Sequence, residues 1–409
     1  MKTFKIFTLG CKVNQYESQQ IRERLLSRGF SEQDNGCKSD IYVINTCTVT
    51  SKADAKSFSL IRDCLKQNKH AQILVAGCFA KANSDIIKKN FGKKVVLRFS
   101  SFNSNGINDF KNHSRAFIKI QDGCNNHCAY CKVPLVRGNS RSRNLNSIIE
   151  EARRLIDKGF KEIVLCGICL GAYGRDLTPK LKLSNLLLAL NEIKQNFRIR
   201  LSSIEAKDVS YEIIDIIANS TKVCKHLHIP FQSGDDIILK RMARKYTCED
   251  YLSTVEKIRN KIPLIAITTD IMAGFPGETE ENFQNTLNFL KRTMPSRMHC
   301  FPFSRRPGTK AFDLSGLASD ETIRKRVAEL LVLAKQMAHN YLKKFVGKEL
   351  EVLIEAKPDK STGFFKGYSD NYIYTLVKAK DLKPGQIIKA KANTFNSQYL
   401  IAKIINQPS

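Results

Sequence analysis

Long apolar runs are missing from this 409-residue sequence. No stretch approaches the roughly 20 consecutive apolar residues that span a bilayer as a helix, so no membrane association is expected. The opening Met-Lys-Thr-Phe-Lys-Ile-Phe-Thr-Leu is too short in its apolar part for a signal peptide and reads better as a strand. The chain is therefore expected in the cytoplasm. Glycine (21) and proline (11) are sparse beside a hydrophobic fraction of 42%, which excludes a disordered or low-complexity protein. Acidic residues are in deficit, 39 Asp plus Glu against 67 Lys plus Arg, for a formal net charge of +28. That imbalance favours a polyanionic partner, nucleic acid, over a merely solvated basic surface, and does not say which nucleic acid. The length allows two or three domains.

Cysteine is what the chain does have, thirteen in all. An odd count in a cytoplasmic chain fits metal-bound or free thiols better than disulfides. The densest stretch is Cys124-Asn-Asn-His-Cys128-Ala-Tyr-Cys131, spaced C-x3-C-x2-C, after an apolar run at 116–120 that reads as a strand. Thiolates are soft ligands for zinc or iron–sulfur clusters. A structural zinc ion wants four ligands, and this triad supplies three. A four-iron cluster held by three cysteines keeps one iron open to an external ligand.

Upstream, segments 4–9, 41–45 and 73–76 are short, apolar and β-branched, and helical patterns at 15–28 and 53–68 separate them. This βαβα order predicts an open parallel α/β sheet, with ligands at the carboxyl ends of its strands. A cysteine follows each strand: Cys11 in Leu-Gly-Cys, Cys47 in Asn-Thr-Cys-Thr, Cys78 in Ala-Gly-Cys. Gly10 and Gly77 permit a sharp turn beside a bulky ligand. Three thiols converging on one edge predict a second cluster, again with an open iron. Cys37 and Cys64 lie elsewhere and read as bystanders.

The 124–131 stretch, with Tyr130 before its last cysteine, resembles the cluster loop of radical S-adenosylmethionine (SAM) enzymes, whose open iron chelates the amino and carboxylate groups of SAM. Leu9-Gly-Cys-Lys-Val-Asn-Gln-Tyr-Glu-Ser18 and Val43-Ile-Asn-Thr-Cys-Thr-Val-Thr50 resemble the N-terminal domain of the methylthiotransferases. The resemblance covers essentially the whole chain. It implies an auxiliary-cluster domain at 1–97, a linker at 98–113, a radical SAM domain at 114–344 and a small RNA-binding TRAM-like domain at 345–409. It also implies SAM and two [4Fe-4S] clusters, one on Cys11, Cys47 and Cys78, the other on Cys124, Cys128 and Cys131.

From residue 115 the pattern repeats strand and helix, with strands expected at 116–121, 162–166, 198–202, 226–229, 264–271 and 297–301. Six such units suggest a closed or open parallel barrel with chemistry at the strand carboxyl ends; the resemblance narrows this to a partial (β/α)6 barrel. Cofactor contacts are expected from Ser203 and Glu205 on the ribose of SAM, from Gln232, and from Gly274 admitting a cofactor edge. Arg137, Arg141 and Arg143 form a basic loop expected to hold substrate phosphates. Cys166-Gly-Ile-Cys169 reads as incidental, and Cys224, Cys248 and Cys300 as structural. A long helix at 320–344 leads to period-two segments at 349–355, 371–377, 386–392 and 399–405, an all-β barrel or sandwich. Phe364, Phe365, Tyr368, Tyr372 and Tyr374 lie there among lysines, a composition suited to stacking bases.

The expected function is methylthiolation of transfer RNA. An aromatic C–H is inert to acid–base chemistry, so a 5′-deoxyadenosyl radical from SAM is implied, with the auxiliary cluster holding the sulfur and no protein nucleophile. Gln121-Asp-Gly-Cys124 and Thr46-Cys-Thr-Val-Thr50 look most like the branch acting on N6-threonylcarbamoyladenosine at position 37 of the anticodon loop. The branch acting on isopentenyladenosine is second, and the one acting on a ribosomal-protein aspartate third. A monomer working with a flavodoxin or ferredoxin reductant and a sulfur donor is expected. From another class, a non-catalytic iron–sulfur or zinc RNA-binding protein fits the same cysteines.

Overall fold

The computed structural model describes residues 2–34, 36–98, 106–379, 381–396 and 398–405. Met1, residues 99–105 of the expected linker and the last four residues of the C-terminal module lie outside them. The three expected N-terminal strands form as β1 (Thr3–Thr8), β3 (Ile41–Thr46) and β4 (Gln72–Gly77). They pair in parallel, joined by two unforeseen edge strands, β2 (Ser31–Glu32) and β5 (Val95–Arg98), in the order β2-β1-β3-β4-β5. A two-residue strand is too short to leave a period in the sequence, and it exists because β1 offers it a free edge. Tyr42, Ile44, Ile73, Val75, Ile61 and Phe79 bury the face covered by helix Ser51–Gln67.

The central domain starts with β6 (Ala116–Lys119), followed by a short antiparallel pair, β7 (Gln121–Asp122) and β8 (Arg141–Ser142). Five further parallel strands follow: β9 (Glu162–Cys166), β10 (Arg198–Leu201), β11 (His226–His228), β12 (Ala266–Ala273) and β13 (Arg297–Pro302). Sheets β10-β9-β6 and β11-β12-β13 are joined by parallel bridges Ile199–Val223 and Ser203–His228 into one curved wall. No ladder joins β6 to β13 among the described residues, so the barrel is partial. The interval between β11 and β12, expected to be helical, holds two helices, Asp236–Arg241 and Cys248–Lys261. The second carries a sequence signal, a capping box in which Thr247 and Asp250 satisfy each other's backbone N–H groups.

Helix Asp320–Lys343 then leads to a closed five-stranded barrel, β14 (Glu349–Ile354), β15 (Phe365–Ser369), β16 (Tyr374–Lys378), β17 (Ile387–Phe395) and β18 (Leu400–Ile404). Four of these strands were expected and β15 was not. Its Phe-Lys-Gly-Tyr-Ser reads as a turn, yet Gly367 must be glycine, because a Cβ there would meet the Leu353 carbonyl oxygen at 2.2 Å. The module docks under the amino ends of the central strands. Arg198 donates to the Tyr368 carbonyl (2.7 Å), and Arg200 to the Asp370 (2.8 Å) and Ser369 (2.9 Å) carbonyls. Glu162 binds both guanidiniums. Burial opposes its ionisation, but Arg200 and Arg198 override this and hold its carboxyl far below the usual range.

Candidate active site between two cysteine triads

Cys11, Cys47 and Cys78 each follow the carboxyl end of a parallel strand, and the loops carrying them touch. Gly10 (φ 110°) lies against Cys47, whose Cβ a side chain on Gly10 would meet at 2.9 Å; Gly77 (φ 87°) lies within 2.3 Å, on the same measure, of the Thr46 carbonyl. These glycines therefore serve first to let neighbouring cysteine loops approach each other. Asn14 ties the loops together through the Leu9 (2.9 Å) and Thr46 (2.8 Å) carbonyls. Burial pushes the Cys78 thiol up to about 11. Such a thiol is a poor nucleophile at neutral pH but a normal ligand, since a metal displaces its proton.

Arg137 donates from Nε to the Cys78 sulfur at 3.2 Å. Its other nitrogens hold Glu17 (2.8 Å), Asp122 (2.9 Å) and Asn14 (3.0 Å), while Lys119 holds Glu17 (2.9 Å) and Asp122 (3.3 Å). This buried charge cluster crosses the boundary between the N-terminal and central domains. Arg143 is likewise enclosed, paired with Glu151 and with Tyr16 Oη (3.0 Å). At 3% and 0% exposure, the Arg137 and Arg143 side chains present nothing to a phosphate, contrary to expectation. Their partners lie far away in sequence, or on a helix face that the local pattern does not expose. Arg141 is exposed on β8.

The second triad occupies the loop after β6. The Cys131 N–H donates to the Cys128 carbonyl (3.0 Å) and the Asn126 N–H to the Cys124 sulfur (3.4 Å). Arg244, unforeseen, donates to the Cys128 sulfur (3.4 Å) and to Glu205 (3.0 Å). Each triad thus has one sulfur held by one arginine. Glu205 is paired with Arg244 and more loosely with Lys207 at 3.8 Å. Gln232 adopts a left-handed φ of 78°, and its buried Oε1 has no hydrogen-bond partner. Ser203 bridges to His228. Gly274 lines neither cavity described below. It closes a turn where its N–H donates to Glu278 (2.6 Å), and a Cβ there would meet Ile323 at 2.5 Å. The Cys169 thiol lies 3.9 Å from Asp208 Oδ2, to which it donates, and accepts from Asn126 Nδ2 at 3.8 Å; its proximity lowers the Cys124 thiol to about 7. Gln121 Oε1 fixes that loop through the N–H groups of Ile168 (3.0 Å) and Cys169 (2.9 Å).

The two triads share a space. A cavity of about 210 Å³ has Cys78 of one and Cys131 of the other on its walls, with Thr48, Gln232, Met272 and Phe301 between them. A second, of about 300 Å³, runs from Cys11 down the inside of the wall to Tyr368 and Tyr372 of the C-terminal module. Among the described residues no three His, Cys, Asp or Glu side chains are close enough to hold a single metal ion. A four-iron cluster asks for something else, since each thiolate takes its own iron and the sulfurs stand apart.

The threonylcarbamoyladenosine tRNA methylthiotransferase MtaB of Bacillus subtilis (strain 168) is 37% identical over 96% of this chain and 94% of its own length. The chain belongs to the methylthiotransferase family. A second methylthiotransferase of the same description, from Thermotoga maritima, is 36% identical over 96% of this chain and 98% of its own. The tRNA-2-methylthio-N(6)-dimethylallyladenosine synthase of Aquifex aeolicus (strain VF5) is 34% identical over 95% and 96%. Residues 118–290 match the Radical SAM superfamily, 3–98 the Uncharacterized protein family UPF0004, and 343–405 the TRAM domain. The fold is shared with the radical SAM methyltransferase TsrM of Kitasatospora setae, at a TM-score of 0.56, 12% identity, and coverage of 76% of this chain and 77% of that one. As a radical SAM methylthiotransferase the chain uses SAM and two [4Fe-4S] clusters. The residues fit them: each triad leaves one ligand position open, each has an N–H donor on a sulfur, and Gln232, whose buried Oε1 lacks a partner, lines the space between. No helix among the described residues is long and apolar enough to cross a membrane.

Proposed function

We propose that this chain transfers a methylthio group to C2 of N6-threonylcarbamoyladenosine at position 37 of tRNA. The observation that carries the reading is that Cys78 and Cys131, one from each triad, wall a single cavity between two domains. When bound, the clusters and SAM supply the radical chemistry and the sulfur that an inert aromatic C–H requires. The six cysteines, Cys11, Cys47, Cys78, Cys124, Cys128 and Cys131, hold the clusters. Arg137 and Arg244 withdraw charge from one sulfur each, which sets cluster potential and fixes ligand orientation. Gln232 and Ser203 offer polar groups to SAM, while Glu205 positions Arg244. Met272 and Phe301 keep the cavity dry. The base reaches this space only when splayed out of the anticodon loop. Exposed Arg141 and the aromatic, lysine-rich C-terminal module take the surrounding RNA. We assign the electron to a flavodoxin or ferredoxin and the replacement sulfur to a separate donor, with the enzyme acting as a cytoplasmic monomer.

Nucleoside mass spectrometry of total tRNA from cells with and without the gene tests the substrate. Loss of the methylthio form with accumulation of threonylcarbamoyladenosine is expected. Loss of methylthio-isopentenyladenosine instead moves the substrate to the other branch and leaves the cavity chemistry intact.

A further inference from the structure

The 300 Å³ cavity is lined by basic side chains. Strands β10 to β13 turn Arg200, His226, His228, Thr268, Arg297 and His299 toward it, and Lys12 enters from the first turn of the helix that follows Cys11. Most of these groups are already committed. Arg200 is saturated by Glu162 and two carbonyls, and it stacks on Tyr372 at 4.9 Å. His228 and His299 both turn to Asp270, at 3.2 and 3.1 Å. Glu162 and Asp270, the nearby carboxylates, are therefore paired.

What is left over has one character. Neither Lys12 nor Arg297 has an ion-pair partner among the described residues, although both line the cavity. His226 is 4% exposed, and its Nδ1 has no hydrogen-bond partner; Ser202 Oγ on the same wall has none either. Burial beside Arg200 keeps His226 neutral. Its Nε2 lies 3.1 Å from Thr268 Oγ1, which also contacts His228 at 2.9 Å. One hydroxyl proton serves two imidazoles, so Nδ1 accepts from a ligand O–H or N–H when that proton goes to His228, and donates when it goes to His226. Two uncommitted cations beside two orphaned polar atoms match a group that carries a carboxylate together with hydroxyl and urea N–H groups. An apolar prenyl chain would leave those atoms unpaired and the cations desolvated. Cys11 on the cavity wall puts the occupant next to the auxiliary triad.

We infer that this cavity reads the acidic side chain on N6 of the substrate adenosine, with Lys12 and Arg297 binding its carboxylate and His226 and Ser202 its hydroxyl and N–H groups. The inference rests on the substrate reading above and adds the residues that select the side chain. It is tested with cluster-loaded enzyme and two anticodon hairpins, one carrying threonylcarbamoyladenosine and the other its carboxamide, by Kd without SAM and by kcat/KM with it. Wild type is expected to prefer the acid about tenfold, the worth of one charge-assisted hydrogen bond. Arg297→Gln and Lys12→Gln should each erase most of that ratio by weakening the acid alone. Equal weakening of both hairpins overturns the pocket, because the cations then hold backbone phosphate. A wild-type ratio near one overturns it as well, with the substrate reading left standing. Turnover of an isopentenyladenosine hairpin with none of the threonylcarbamoyl one overturns both.

Discussion

Cys78 and Cys128 each accept a hydrogen bond from a buried guanidinium, Arg137 at 3.2 Å and Arg244 at 3.4 Å, so on the proposed ligand assignment each cluster is tuned by its own residue. Donors to cluster sulfur stabilise the reduced state. Arg137→Gln should therefore lower the auxiliary-cluster potential and leave the SAM-side potential in place, as read by an EPR-monitored redox titration. It should also cost about 3–5 kcal/mol, because Glu17 and Asp122 lose a buried partner. The ligands divide in the same way. Cys128→Ala should abolish SAM cleavage, whereas Cys47→Ala should spare cleavage and abolish methylthio product; product from Cys47→Ala would remove the auxiliary assignment. All six candidate ligands stand out in local sequence, because each sits in a dense C-x3-C-x2-C run or just past the end of a predicted strand. Arg244 could not, because the Cys128 it serves is 116 residues away and nothing beside Arg244 in sequence marks it. The same distance misled the reading of Arg137, whose Glu17 partner is 120 residues off.

At the scale of elements, the cysteine loops depend on how closely parallel strand ends approach. Gly77 has no room for a side chain: a Cβ would sit 2.3 Å from the Thr46 carbonyl and 2.5 Å from Asn45 Oδ1, at a φ of 87°. Gly77→Ala should push the β4 end away from β3 and displace Cys78, with about 1–3 kcal/mol of backbone strain added. Iron analysis should then fall from about eight toward about four per chain, with SAM cleavage retained; a full complement of iron would show that the loop tolerates the shift. The strands themselves were legible wherever an apolar run of four or more residues stood alone, as in β9, found at 162–166 as expected. They were not legible where pairing supplied the order, as in β2, or where a glycine made room inside a closed barrel, as in β15. Tyr372 shows the same limit. Expected within a strand, it lies in the turn before β16 at a φ of 61°, with its ring 4.7 Å from that of His226.

At the scale of the molecule, one carboxylate joins two domains. Glu162 at the start of β9 binds Arg198 and Arg200 and lies 3.8 Å from Arg115, while Arg198 and Arg200 spend their other N–H groups on carbonyls of the C-terminal module. The C-terminal module is thus held beneath the curved wall, where its Tyr368 and Tyr372 line the 300 Å³ cavity. Because the folded carboxyl titrates far below an unfolded glutamate, its contribution is complete above the unfolded value, about 4.3. It is lost as pH falls from there toward the folded value. Thermal unfolding should therefore show no Glu162 contribution to pH dependence between pH 6 and 8, and a falling midpoint only on acidification below that unfolded value. Glu162→Gln should remove that acid-side slope and lower stability at neutral pH by about 3–5 kcal/mol, because two buried guanidiniums lose their counter-charge. Tethering by Glu162 predicts one further change. In Glu162→Gln the affinity for an anticodon hairpin should drop together with the unfolding midpoint, whereas SAM cleavage without RNA, which needs only the Cys124–Cys131 loop and the upper wall, should persist at temperatures where the variant stays folded.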